Sequence, residues 1–295
     1  MTGRKKKTSV RERRKSITGW ILAAPVLIGT FVFFGLPFGI SLWYSVTFGV
    51  GGAEFVGFEN YIKVFSSEAF QLAVFNTLRF LGIGVPLIMF IGFAIALLIK
   101  KSFAGSRIFR SVLLLPMVIP VASVVMVIQV FFAEQGIING LLEQAGFSIE
   151  NWLHGPSAFY ILVGMYIWKN CGYNVVLMLA GLNMIPEELY QTAAIEGAGE
   201  WKKFRFITLP LVWPSLFFTF VMSVVNSFKS YREAFLLGGT HPHDSIYMLQ
   251  HFLNNNFDNL NYQRLSVAST MLFLAILIVV GVLYILQDKH GEEVQ

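Results

Sequence analysis

Lys169, Asn170 and Asn174 stand inside an otherwise apolar run, close in sequence to Tyr166, Trp168 and Tyr173. A second apolar run closes on Asn226, Ser227, Lys229, Ser230, Tyr231, Arg232 and Glu233, and a third is interrupted by Asn76 and Arg79. Amides and hydroxyls beside aromatic rings suit a pyranose, which offers an apolar face and a rim of hydroxyls. Asn170 and Asn174 are four residues apart and Asn226 and Lys229 three apart, so each pair shares a helical face. Two roles fit such groups: hydrogen bonding between helices or at an interface, and lining a water-filled path. Asn76, Lys169, Asn170, Asn174, Asn226 and Lys229 are the candidates for the second. His241, His243, Asp244 and His251 have no second anchored cluster beside them and give no reason to expect a metal. Neither a His-Glu-x-x-His pattern nor paired carboxylates occur in the apolar runs, and no Gly-x-x-x-x-Gly-Lys-Ser/Thr phosphate loop is present. Catalysis by this chain is therefore not expected.

These residues must be positioned by membrane-spanning helices. Of the 295 residues, 55% are hydrophobic and 13% charged. A soluble domain of this length needs about twice that charge to cover its surface. Six stretches approach the ~20 apolar residues that a span requires: 19–45, 77–99, 111–133, 158–183, 206–228 and 265–287. No Asp or Glu lies inside any of them. Pro25, Pro37, Pro86, Pro116 and Pro120 fall within them and should kink the helices. The apolar run from Trp20 to Tyr44 is too long for a signal-peptide core and reads as a retained helix. Cys171 is the single cysteine, which excludes an internal disulfide.

Charge sets the orientation. Arg4, Lys5, Lys6, Lys7, Arg11, Arg13, Arg14 and Lys15 crowd the N-terminus, followed by an uncharged stretch from Ser16 to Ala53. That arrangement suits anionic headgroups rather than nucleic acid, and it places the tail in the cytoplasm. Lys100, Lys101, Arg107 and Arg110 then fall inside, as do Lys202, Lys203 and Arg205. The loops with Glu54, Glu59 and Glu68, and with Glu134, Glu143 and Glu150, fall outside. Both termini are expected to be cytoplasmic.

The inside segment between spans four and five is the most informative. Pro186, Glu187 and Glu188 suit the first turn of a short helix, and Gly197 suits the left-handed residue that ends it. Ile185, Leu189 and Ala193, at spacing four, are expected on one face. A second helix should follow, with Trp201, Phe204 and Ile207 on its apolar side and Lys202, Lys203 and Arg205 toward water. An amphipathic hairpin lying on headgroups would explain these features alone. The spacing says more. Gln191-Thr192-Ala193, three residues, Gly197, nine residues, Ile207, one residue, and Leu209-Pro210 resemble the EAA signature of binding-protein-dependent ABC importer permeases. Gln191 and Thr192 replace the usual Glu and Ala, which leaves any contact made by the family's glutamate in question.

The resemblance continues through Phe55-Val-Gly-Phe-Glu-Asn-Tyr61, Asn76-Thr77, Ala180-Gly-Leu182 and Gly238-Gly239, which look like carbohydrate-importer permeases of the maltose type. It implies an all-α integral membrane protein with six transmembrane helices and the type I ABC importer permease fold. The chain then divides into a basic cytoplasmic tail (1–18), a permease domain (19–287) with a coupling loop (184–210), and a C-terminal tail (288–295). By the resemblance Glu187, Leu189, Gln191, Thr192, Ala193, Ala194, Glu196, Gly197, Ile207, Leu209 and Pro210 form the ATPase-coupling loop. The implied partners are a second permease subunit in a heterodimer, a cytoplasmic ATPase dimer carrying ATP and Mg, an extracytoplasmic solute-binding protein, and the lipid membrane. A non-sugar solute, or ion-coupled secondary transport, is the competing expectation.

Overall fold

The computed structural model describes residues 10–100 and 105–292. The expected tails lie partly outside the described residues, the basic one up to residue 9 and the C-terminal one beyond residue 292, and Lys101 of the expected inside loop lies outside them too. The described chain is mostly helical, with one two-residue hairpin, and it divides into two compact units.

The first unit takes the chain up to Val64 together with Asn261–Phe273. It opens with α1 (Val10–Thr30), a π turn (Phe31–Gly35) and α2 (Leu36–Ser45). The 27 residues from Gly19 to Ser45 form an apolar stretch whose most hydrophobic part is wholly unburied. Such a surface calls for lipid or another protein to cover it. The hairpin of β1 (Thr47–Phe48) and β2 (Glu54–Phe55) follows, then α3 (Glu59–Phe65). Asn60 explains much of the motif around it, since its amide donates to the carbonyls of Ser45 (3.2 Å) and Thr47 (2.8 Å). Gly52 has φ +75°, and a Cβ there would lie 2.6 Å from Trp43 Nε1, so the turn needs glycine twice over.

The second unit is residues Phe65–Leu260 with Leu274 onward. The helices that occupy its expected spans are α4 (Glu68–Lys100), α5 (Ser106–Val118), α6 (Val121–Phe132), α8 (Ala158–Asn183) and α11 (Leu209–Lys229), with the later turns of α14 (Tyr262–Glu292); α5 is short for a span and α8 is long enough but less apolar than the others. Between them lie α7 (Ile137–Gln144), α9 (Glu187–Ile195), α10 (Glu200–Lys203), α12 (Tyr231–Gly238) and α13 (Leu249–Asp258). The central helix is α8, packed by α4, α5 and α11. At 26 residues and about 1.5 Å each it is long enough to cross a bilayer. It carries its polar residues because protein rather than lipid surrounds much of it. Glycine sets how closely its neighbours approach: a Cβ on Gly172 would fall 1.8 Å from the Leu113 carbonyl oxygen, and one on Gly181 would fall 2.1 Å from Ser215 Oγ.

Two sequence expectations need correction. The third span is not one helix over 111–133 but α5 and α6, separated at Ile119 and Pro120. Pro120 pushes Ile119 into extended backbone (ψ 131°), where a helix cannot continue. The expected face of Ile185, Leu189 and Ala193 does not form. Ile185 precedes Pro186 in the bend before α9 and is buried against α8 and α11, whereas Leu189 stays 42% exposed. Beyond the expected fifth span a carboxylate is nevertheless buried. The fifth helical run continues past Phe228 through a bend at Ser230 into α12, and Glu233 of α12 is buried.

Candidate functional site

The first candidate region begins where α8 ends. Pro186 caps α9, and Glu187 and Glu188 occupy its first turn, where acidic groups complement the helix dipole. The helix ends on a Schellman turn: Ala198 N–H donates to the Ala193 carbonyl (2.8 Å) and Gly197 N–H to that of Ala194 (3.1 Å). Gly197 takes φ +78°, as its place in the sequence leads one to expect. Gln191, Thr192, Ala194, Ile195, Glu196 and Gly197 are all exposed, Ile195 by 88%. A small-residue surface edged by Leu189 and Ile195 is therefore presented outward. From Gly199 the chain turns back through α10 and a π turn (Phe204–Thr208) into α11. Phe204 stacks near Phe93 (6.2 Å between centroids) and Ile207 packs on the core, while Leu209 and Pro210 begin α11 and are half-buried.

The second region is a buried polar seam between α8, α11 and α12. Asn174 is fully buried and its amide donates to Ser223 Oγ (2.7 Å). Tyr166 donates to the Ser223 carbonyl (2.8 Å). Lys169 meets Glu233 Oε1 at 2.7 Å in an ion pair whose side chains are 17% and 7% exposed. Asn174 Oδ1 and Glu233 Oε2 are buried with no hydrogen-bond partner among the described residues. Buried acceptors left over in this way are costly unless a donor reaches them. Asn170 donates to the Tyr166 carbonyl one turn back, and Lys229 to Asn226 Oδ1 (3.0 Å). Asn76 stands apart in its bonding: its amide holds the carbonyls of Asp244 (2.5 Å) and Tyr247 (2.9 Å), fastening the segment after α12 to α4.

Thr219, Ser223, Ser227, Ser230 and Glu233 were not among the candidates, yet all are buried in this seam or at its end. The four hydroxyl residues recur at spacings of three and four from Thr219, so a polar stripe was readable there. The pairing of Glu233 with Lys169, 64 residues away, was not.

The segment after α12 holds a further buried group. His251 is fully buried, accepts the Met248 N–H at Nδ1 (3.1 Å), and sits between Tyr231 (4.7 Å, edge-on) and Tyr247 (5.6 Å, stacked). Burial, with His241 adding to it, pushes its pKa down to about 4 from 6.5. In the native state the ring thus stays neutral where the unfolded chain already takes up a proton. The stability it contributes is complete above pH 6.5 and is lost progressively as pH falls toward 4. Hydrogen exchange in α13, corrected for intrinsic rates, should accelerate across that window, and His251→Phe should flatten the profile. A pH-independent profile in the wild type would contradict this.

The family model for the binding-protein-dependent transport system inner membrane component matches residues 84–290. The trehalose/maltose transport system permease protein MalF of Thermococcus litoralis is 30% identical over 276 residues, covering 92% of this chain and 93% of that protein. The sn-glycerol-3-phosphate transport system permease protein UgpA of Yersinia pestis is 33% identical over 214 residues, covering 71% and 72%. Among solved structures, a chain of a bacterial ABC transporter involved in the import of the acidic polysaccharide alginate superposes with a TM-score of 0.82 at 22% identity. That superposition covers 95% of this chain and 99% of the other, so the two share a fold.

Proposed function

The chain belongs to the binding-protein-dependent transport system inner membrane components, and on that premise we propose that it forms half of the translocation pathway of an ATP-driven carbohydrate importer. The observation that carries the reading is α9: a short helix with an outward surface of small residues, closed by a glycine turn, that follows α8 and leads through α10 and a π turn into α11. A cytoplasmic ATPase dimer docks there, and ATP and Mg are bound on that partner. The other half of the pathway comes from a second permease subunit, and a solute-binding protein delivers substrate at the opposite end. The basic N-terminal tail and the lysine- and arginine-rich loops put α9 and both termini in the cytoplasm.

Carbohydrate is favoured by the seam. Amides and hydroxyls line it beside Tyr166, and two buried acceptor oxygens await donors such as sugar hydroxyls. The solutes named for the relatives and the structural neighbour, namely trehalose and maltose, sn-glycerol-3-phosphate and alginate, are all polyhydroxylated.

Lys169, Asn170, Asn174, Asn226 and Lys229 help line the path, and Asn76 supports it by holding the 244–247 segment. Asn174→Leu is the sharpest test, since leucine keeps the branched outline without the amide and Ser223 keeps its own bond to the Thr219 carbonyl (2.8 Å). Uptake of a panel of radiolabelled sugars by cells carrying the whole importer should fall about tenfold or change its preference, equivalent to ~1.4 kcal/mol. The amount of assembled complex should stay at the wild-type level. Wild-type uptake would reject the pathway role, and loss of assembly would leave Asn174 as a helix-packing residue only.

A further inference from the structure

Eight of the nine residues of α9 face outward or make no hydrogen bond from their side chains beyond their own helix, among the described residues. Tyr190 differs. Its ring packs against the apolar cluster that contains Ile99, Leu182 and Val212. Its hydroxyl lies 2.9 Å from Thr208 Oγ1 and receives Lys100 Nζ at 3.2 Å, and the same ammonium sits 4.5 Å from the ring centroid. Lys100 is the last residue of α4. Thr208, 6% exposed, closes the π turn that leads into α11, and its hydroxyl points on toward the Lys203 carbonyl (3.5 Å). Because an ammonium can only donate, the tyrosine hydroxyl accepts from Lys100, and in its contact with Thr208 either hydroxyl can donate. One side chain thus ties α9 to the end of α4 and to the start of α11.

We propose that Tyr190 is the positioning residue that carries movement of α9 into α4 and α11, through a hydroxyl shared between Lys100 and Thr208. The inference rests on the reading of α9 as the ATPase-docking helix. The geometry suits transmission in two ways. A π turn is a place where a helix can deform, so a pull at Thr208 acts on a joint rather than on a rigid rod. The two helices reached are also those beside Asn174: Ser223 of α11 accepts its amide, and α4 passes so close at Gly92 that a Cβ there would lie only 3.3 Å from Asn174 Cβ. A displacement entering at Tyr190 therefore arrives on both sides of Asn174.

The test needs no knowledge of the solute. In the assembled importer, with its partner permease and ATPase subunits in proteoliposomes, Cys171→Ala and Ser227→Cys together place one thiol on buried α11. The maleimide-labelling rate of that thiol should change at least threefold when a non-hydrolysable ATP analogue is added. Tyr190→Phe keeps the ring and removes the hydroxyl. It should abolish the change while ATP hydrolysis stays within twofold of the parent. Thr208→Val should do the same, and the double variant should do no more. If Tyr190→Phe does not assemble, Thr208→Val reads the same link from its other end. A full labelling change in Tyr190→Phe or Thr208→Val overturns the proposal, as does a parent that does not respond to nucleotide; a tyrosine that served packing alone would give the first result. Ala194→Arg, on the outward surface of α9, separates the two ideas. If it leaves ATPase association intact, the docking reading itself is wrong, whatever Tyr190 does.

Discussion

Gly197→Asp should abolish transport in a protein that still inserts and assembles. The turn it occupies has φ +78°, and a Cβ there would meet nothing within 4 Å. Space inside the chain is therefore not the obstacle. Backbone strain for a residue other than glycine is about 1 kcal/mol, which a helix held by two turn hydrogen bonds survives. What aspartate adds is bulk and charge at the rim of the small-residue surface that α9 presents. The consequence should fall on the docked ATPase rather than on the fold. Gly197→Ala separates the two effects, since it carries the strain without the charge. Binding-protein-stimulated ATP hydrolysis should be lost in Gly197→Asp and retained in large part in Gly197→Ala, at equal amounts of membrane-inserted protein. Equal stimulation in all three proteins would show that this turn takes no part in coupling.

Breaking the ion pair between Lys169 and Glu233 should have the largest effect on stability. Each charge is held in a nearly dry site, and removing one partner leaves the other uncompensated, at a cost of about 3–5 kcal/mol. Lys169→Met should thus unfold in detergent at a clearly lower temperature, and Glu233→Leu likewise. The double variant Lys169→Met/Glu233→Leu should recover most of the loss, because it removes both buried charges and leaves methylenes in their place. Glu233→Gln should be the milder single change, since an amide can still accept from the ammonium. Two single variants as stable as the wild type would mean that water reaches the pair.

Where the deciding interactions are local, the sequence was sufficient. Hydrophobic runs located the spans, and α8 occupies the stretch expected from 158 to 183. The positive φ at Gly197 followed from its place after a short helix with acidic residues in its first turn. The break between α5 and α6 was half legible, since Pro116 and Pro120 both lie in one run but only the second interrupts it. A proline within a helix is tolerated if its neighbours compensate, and sequence does not say which one is compensated. Other features depend on what folding brings from afar. Glu233 looked like the polar end of a span, and only the bend at Ser230 turns it onto Lys169. Tyr190 looked like one more residue of an exposed helix, because Lys100 is 90 residues away and Thr208 is 18. Ile185 was assigned to α9 by spacing alone, whereas Pro186 held it in the preceding bend.

The central claim is that α9 is the docking element for an ATPase that drives the importer. Cys171 is buried, so Ala194→Cys would put a single exposed thiol at the middle of the outward surface. A short thiol-reactive photocrosslinker attached there and activated in intact membranes should capture one dominant partner. Mass spectrometry should identify that partner as a protein with a Gly-x-x-x-x-Gly-Lys-Ser/Thr phosphate loop, crosslinked within a surface groove. Crosslinks only to lipid, or to proteins without such a loop, would contradict the account.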